Sequence, residues 1–188
     1  MHIRFANTAD AEAMLGIYRP FILGSAASFE TEVPTIQQFS SRITATTQQY
    51  PWLVADVNGQ VAGYAYASKH RERAAYQWCV ETSVYVHPAF YRQHIGTQLY
   101  TALFGLLKVQ GLVNAYAGIT LPNSASEKLH KSLGFEEVGV YKNIGFKLGR
   151  WHDVLWLAKI INDHNDQQPL PKSIDSIMHL LPRSSASI

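Results

Sequence analysis

The chain has 188 residues, 47% hydrophobic and 16% charged, the make-up of a globular domain with a sizeable core. A formal net charge of only +2 argues against general nucleic-acid binding, which needs a concentrated basic face. The single cysteine, Cys79, excludes an intrachain disulfide framework, and no run is apolar for long enough to span a bilayer. The opening MHIRFANTAD has no apolar signal core, so the expectation is a cytoplasmic protein with no membrane partner.

In chain order, HIRFA reads as a short strand. Thr8 suits a helix N-cap, with Asp10 and Glu12 in the first turn favouring the positive end of the dipole. Met14, Leu15, Ile17, Tyr18, Phe21 and Ile22 follow at helical spacing, with Pro20 expected to kink or break the pattern. SAASFETEVPT is a loop, and Ile36, Phe39 and Ile43 begin a second helix. Two apolar runs then flank Asn58-Gly59, a pair that readily takes the positive φ values of a tight hairpin turn.

AYQWCVETSVYV reads as the next strand, leading into His87-Pro88. A helix is predicted from Ile95 to about Gln110, with Leu99, Leu103, Phe104, Leu106 and Leu107 buried and Gly111 just past its end. LVNAYAGIT is a strand, Asn123 or Ser124 caps a helix that Gly134 ends, and two strands follow in FEEVGVYKNIGFKLG and WHDVLWLAKI. Hairpins followed by a βαβ-like unit predict a mixed α/β (α+β) sheet with helices on both faces. The domain is expected over residues 1–161. A polar, proline-punctuated tail follows over 162–188, in which Ile174, Ile177, Met178 and Leu181 form a short amphipathic turn or two.

The stretch VYVHPAFYRQHIGTQLY has the layout of a phosphate cradle: a strand, a basic turn, then a helix start. Free N–H groups and the helix dipole bind anions at such a place. Arg92 adds a bidentate donor and Thr97 a hydroxyl. Local basic clusters, at Lys69, Arg71 and Arg73 and again at Arg92, suit a small anionic ligand better than a polymer.

With these pieces in place, the chain resembles the GNAT superfamily of acyl-CoA N-acyltransferases. That family's pyrophosphate loop has Gln or Arg, two residues, Gly, one residue, and Gly or Ala. Here the turn is Tyr91, Arg92, Gln93, His94, Ile95 and Gly96, and only the last glycine is kept. VETSVYVHP is similar to the strand before the loop, and LPNSASEKLHKSLGFEEVGVY to the later helix and strand. GFKLGRWHDVLWL, the YRPFILGSAASFETEVPT opening and AYQW resemble the phosphinothricin acetyltransferase subfamily. The likeness runs from about Ile3 to about Lys159, with the tail outside it.

The resemblance implies a mostly antiparallel twisted sheet whose two central parallel strands splay around acetyl-CoA, with no metal. Main-chain groups of Val84, Tyr85 and Val86 would pair with the pantetheine, and Arg92, Gln93, His94, Ile95, Gly96 and Thr97 would hold the pyrophosphate. His94 stands where glycine is usual, and His is among the few other residues enriched at positive φ. Asn123 suits a CoA contact or a helix cap, and Ser132 a CoA contact or a neutral helix end.

Acetyl transfer to an amine requires removal of a proton and donors for the charge that grows on the thioester oxygen. The resemblance makes Glu81 the base and gives His130 a place where it either protonates the leaving thiolate or packs. Phe29, Glu30, Thr31, Arg73 and Tyr76 would shape the acceptor site, with Arg73 as a fork for a carboxylate. Trp151, His152 and Asp153 are expected to brace the fold or a dimer contact, and Cys79 to be a core thiol. The implied function is acetylation of a small amino-acid-like acceptor such as phosphinothricin, methionine sulfoximine or methionine sulfone, by a homodimer that binds neither nucleic acid nor membrane. Acetylation of protein N-termini and non-catalytic acyl-CoA sensing are the alternatives.

Overall fold

In the computed structural model, which describes residues 1–181, the expected hairpins and βαβ unit join into one sheet. Its strands are β1 (His2–Phe5), β2 (Trp52–Val57), β3 (Gln60–Lys69), β4 (Cys79–Val86), β5 (Asn114–Thr120), β6 (Glu136–Lys147) and β7 (Arg150–Ile160). The sheet order is β1-β2-β3-β4-β5-β7-β6. Every neighbouring pair is antiparallel except β4 and β5. Asn58 and Gly59, at φ 53° and 81°, make the turn between β2 and β3.

The helices are α1 (Ala11–Gly24), α2 (Ile36–Thr46), α3 (Ile95–Gln110) and α4 (Ser124–Ser132). One face of the sheet packs Leu53, Ala65, Val80, Ala115 and Leu157 against Leu99, Leu103 and Leu107 of α3, with Leu129 of α4 at the edge. The other face packs Trp52, Val54 and Tyr64 against Met14, Ile17 and Tyr18 of α1 and Phe39 and Ile43 of α2. The alternation of β4 between these faces follows from the period of two along a strand. Val80, Thr82 and Val84 look towards α3, whereas Glu81, Ser83 and Tyr85 look towards the α1 side.

Four local expectations need correction. Thr8 is not the cap: Asn7 caps a short 3-10 turn over Thr8–Asp10, its side chain accepting from Ala9 N–H at 2.8 Å, and Asp10 is the N-cap of α1. Asp10 is not there for the dipole alone, since it forms a buried ion pair with Arg4 at 2.7 Å. Pro20 does not break α1, which runs through to Gly24. Ala74–Tyr76 is a 3-10 turn, and β4 starts only at Cys79, which is partly buried and takes a 3.7 Å contact from Asn114 Nδ2.

The segment after β7 lies on the α3 side. Asn162 donates to the carbonyls of Lys108 and Leu112, Lys172 N–H donates to Gln110, and Trp78 Nε1 donates to Pro169. Ile174 and Ile177 are buried in the same core as α3, within two 3-10 turns, Ile174–Ser176 and Met178–Leu180. The remainder of the expected tail, 182–188, lies outside the described residues. Among the described residues no helix is long and apolar enough to cross a membrane.

Candidate active site

Strands β4 and β5 pair over only three rungs, Cys79 with Asn114, Val80 with Ala115 and Glu81 with Tyr116. Beyond Glu81 and Tyr116 they part. On its other edge β4 stays paired with β3 as far as Val86, and β5 stays paired with β7 as far as Thr120. The edges that face each other across the split are therefore open. A cleft of about 850 Å³ fills the gap. It is lined by Thr82 to Val86 on one side and Ala117 to Thr120 on the other, and reaches the turn before α3.

That turn is strained in a useful way. Arg92 has φ 62° and His94 φ 59°, both left-handed. A conformation that costs most L-residues about 1–2 kcal/mol is thus taken up twice in three residues. The result aims the chain into α3 with His94 as its N-cap and no side-chain cap bond, so the first N–H groups of the helix stay free for an anion. Gly96 permits the approach: a Cβ there would lie 3.3 Å from Leu129 Cδ2 and 3.7 Å from Val86 Cγ2. Arg92 and Lys128 line the cleft and no acidic side chain does, among the described residues. An elongated ligand with amides in its middle and phosphates at its end fits this surface.

Most of the expected CoA residues meet here. Val84, Tyr85, Val86, Arg92, His94, Ile95, Gly96, Thr97 and Asn123 all line the cleft. Asn123 is also the cap of α4, accepting from Ser126 N–H at 3.2 Å. Gln93 and Ser132 stand outside the lining, exposed, with side chains bonded to the carbonyls of Ala89 and Leu129.

His130 also lines the cleft and is buried. Its Nδ1–H donates to the Ser126 carbonyl at 2.8 Å, and its Nε2 faces the Tyr100 hydroxyl at 3.1 Å. Burial pushes the imidazole below its usual value, against a smaller opposing effect of the Ser126 bond. The neutral ring so arranged accepts from Tyr100. Burial likewise pushes the Tyr100 phenol up, while Thr82 pulls the other way. Sequence reasoning passed over Tyr100. The available signal was a phenol on the apolar face of α3, which needs a polar partner when buried.

Glu81 sits on the last rung of the parallel pair. Its side chain is 36% exposed. It contacts His70 Nδ1 at 3.0 Å. His70 carries no sequence signal for this role, because a residue just past the end of β3 reads as part of a solvated connection.

The expected acceptor residues are more scattered, and none lines the cleft. Glu30 is engaged by Arg42 at 2.6 Å and Tyr18 at 3.1 Å, tying the α1–α2 loop to both helices. Phe29 packs over Gly145 and lies 6.2 Å from His152, ring to ring. Thr31 and Arg73 are exposed. Tyr76 lies edge-on to His70 at 6.0 Å, one residue removed from Glu81.

A second cavity of about 520 Å³ adjoins the cleft through Phe21, Ala27, Tyr91, Thr120 and Asn123. Arg150 and His152 line it. Trp151 is 60% exposed, while Asp153 accepts from Asn143 N–H at 2.8 Å and Lys142 Nζ at 2.9 Å and so braces the hairpin of β6 and β7. Among the described residues there is no cluster of three or more His, Cys, Asp or Glu suited to a metal ion.

Two parallel strands split over an anion-binding turn, with a carboxylate at the crotch, form the arrangement of an acyl-CoA-dependent acyltransferase. The chain belongs to the GNAT acetyltransferase family, whose domain matches residues 3–156. It is 41% identical over 154 residues to the phosphinothricin N-acetyltransferase of Streptomyces viridochromogenes, covering 82% of this chain and 84% of that protein. It is 35% identical over 165 residues to the L-methionine sulfoximine/L-methionine sulfone acetyltransferase of Salmonella typhimurium, covering 87% and 96%. Among solved structures, the GNAT superfamily phosphinothricin acetyltransferase of Sinorhizobium meliloti, in complex with acetyl-CoA, superposes with a TM-score of 0.84 at 36% identity. That match covers 89% of this chain and 91% of the other.

Proposed function

We propose that this protein transfers an acetyl group from acetyl-CoA to the amine of a small amino-acid-like acceptor of the phosphinothricin, methionine sulfoximine or methionine sulfone type, by direct attack. The observation that carries the reading is the split after Glu81 and Tyr116, which opens main-chain edges and an anion-binding turn along one continuous cleft. The acetyl donor supplies an activated thioester carbonyl. The chain's own work is to bind, orient and move protons. Val84 to Val86 offer strand-edge groups to the pantetheine, and the turn from Arg92 to Thr97 offers N–H groups and a guanidinium to the phosphates.

Glu81 takes a proton from the acceptor's ammonium group, which frees the lone pair for attack. Its side of the sheet also carries Ser83, Tyr85 and, on β5, Tyr116 and Gly118, and this is where the acceptor belongs. Tyr76 stands towards His70, and with the exposed Arg73 it is the proposed rim of that site, Arg73 being the proposed partner of an acceptor carboxylate. His130 is the proposed donor to the leaving thiolate. In the arrangement described, it must exchange its bond to Ser126 to act in that way.

The hairpin of β6 and β7 supports a homodimer as part of the same proposal. Val138, Tyr141, Ile144, Phe146, Leu148 and Trp151 are each 48–60% exposed, a concentration of apolar surface that marks a contact. A single cysteine suits a reducing compartment, and a cytoplasmic place of action belongs to the reading too.

The test is a thiol-release screen with acetyl-CoA against free amino acids, sulfoximines, sulfones and short peptides, with products identified by mass. N-acetylation of the free amino-acid analogues supports the proposal. Turnover of peptides alone would reassign the chain to protein N-termini, and acetyl-CoA binding without thiol release for any amine would make it a sensor.

A further inference from the structure

We infer that His70 is a positioning residue for Glu81, and that the two side chains work as one unit at the strand split. The inference rests on the reading of Glu81 as the base. His70 directly follows Lys69, the last residue of β3, where a side chain is ordinarily free to follow solvent. This one is not free. Its side chain is 12% exposed, and its ring stacks on Tyr116 of β5 at 4.5 Å and 15°. Tyr76 closes one edge at 6.0 Å, and Trp156 of β7 closes another at 6.2 Å. Three elements thus hold the imidazole in one orientation, with Nδ1 turned to Glu81 Oε1 at 3.0 Å.

The chemistry of that contact is directional. An ionised carboxylate only accepts, so Nδ1 carries the hydrogen and donates it to Oε1. Such a bond holds Oε1 and fixes the plane of the carboxylate. Oε2 has no partner among the described residues and is left for the acceptor. One N–H bond of the acceptor ammonium breaks as an O–H bond forms at Oε2. The nitrogen keeps the electron pair, and the carboxyl later returns its proton to water. Tyr116 has two roles in this account, since it is the rung that ends the parallel pairing and the platform that holds His70.

The titratable groups around His70 are few. Glu81 faces it from β4, Tyr116 from β5 and Tyr76 from the 3-10 turn. Cys79 shares the Glu81 face of β4 and acts on Tyr116, and Tyr66 of β3 feels Glu81. The flanking Lys69 and Glu72 are paired with each other at 3.1 Å.

Three variants test the inference. His70→Phe keeps a ring on Tyr116 and removes the donor. His70→Gln stays polar but carries its donor one bond too far. His70→Asn places an amide N–H close to the native Nδ1–H. The readouts are kcat/KM for the acceptor across pH, KM for acetyl-CoA, and the melting temperature. In Phe and Gln, kcat is expected to fall about tenfold or more, with KM for acetyl-CoA within about twofold. His70→Asn is expected to recover most of the loss. If the Phe variant does not fold, the Gln and Asn pair carries the comparison. Profiles that superimpose on the wild type, or an Asn variant no better than Gln, overturn the inference. Glu81→Gln run in parallel separates the two claims. If it keeps the wild-type profile, the base assignment itself fails. If it loses the limb while the His70 variants match the wild type in kcat, only the role of His70 fails.

Discussion

Glu81 and Tyr116 form the last rung between β4 and β5, and every residue beyond them on either strand lines the cleft. The rung therefore marks where a paired sheet gives way to two open edges, which an extended ligand with amides of its own can join as a further strand. It also sets the carboxylate of Glu81 beside the place where such a ligand would end.

Gly63 keeps the first of those edges in position. It lies opposite Val86, and a Cβ there would stand 2.8 Å from the Tyr85 carbonyl oxygen and 3.2 Å from Ile95 Cγ2. The near atom is backbone, so the strand must shift. Gly63→Ala is expected to destabilise the fold by about 1–3 kcal/mol and to weaken acetyl-CoA binding. Thermal denaturation and calorimetry with acetyl-CoA check both.

His94 meets a backbone demand and adds a ring beside the phosphate turn. Because its φ is 59°, His94→Gly relieves strain and is expected to raise stability by up to about 1 kcal/mol. His94 lines the cleft, so if its ring contributes to the phosphate contact, His94→Gly weakens acetyl-CoA binding while it stabilises the fold, and calorimetry checks it. An acetyl-CoA affinity unchanged in His94→Gly would restrict His94 to its backbone.

His130 links folding to pH. Burial holds its folded value below the ordinary 6.5, so the unfolded chain binds this proton more readily. Its contribution to stability is complete above 6.5 and is lost as pH falls from there through the folded value. One proton limits the slope to about 1.4 kcal/mol per pH unit. Denaturant titrations at stepped pH should show that His130→Gln flattens this part of the curve. The same variant is expected to lower kcat while sparing acetyl-CoA binding if His130 serves the leaving thiolate.

The exposed hairpin gives a prediction about assembly. Phe146 and Trp151 are each 60% exposed, and their rings meet edge to face at 5.5 Å, forming one apolar surface. Trp151→Asp places a charge there and is expected to convert a dimer into monomers without lowering the melting temperature of the monomer. Light scattering across a concentration series checks it, and a wild-type chain that stays monomeric rules the dimer out.

Features set by neighbours in sequence are legible without coordinates. The Asn58-Gly59 turn, the Gly111 stop after α3 and the Asn123 cap of α4 each depend on two to four adjacent residues. The positive φ expected of His94 is of the same kind, since it follows from where the cradle wants glycine. What escapes is whatever depends on distant contacts. Asp10 suits a helix start by composition, yet its partner is Arg4 on β1. Arg92 shares the left-handed conformation of His94, although its type gives no hint of it. Tyr100 and His130 are 30 residues apart, and His70 and Glu81 are 11 apart across the β3–β4 connection. No local pattern reports that a hairpin-end histidine will be clasped by aromatic rings from three elements. The family likeness brought Glu81 into view, but not the partner that holds it.

The most direct measurement is kcat/KM for a free amino-acid acceptor as a function of pH, at saturating acetyl-CoA, with Glu81→Gln beside the wild type. The account predicts a loss of about 10²–10⁴-fold, disappearance of the acid limb, and acetyl-CoA affinity within a few-fold of the wild type. A Glu81→Gln enzyme whose kcat/KM follows the wild-type curve at every pH would contradict it.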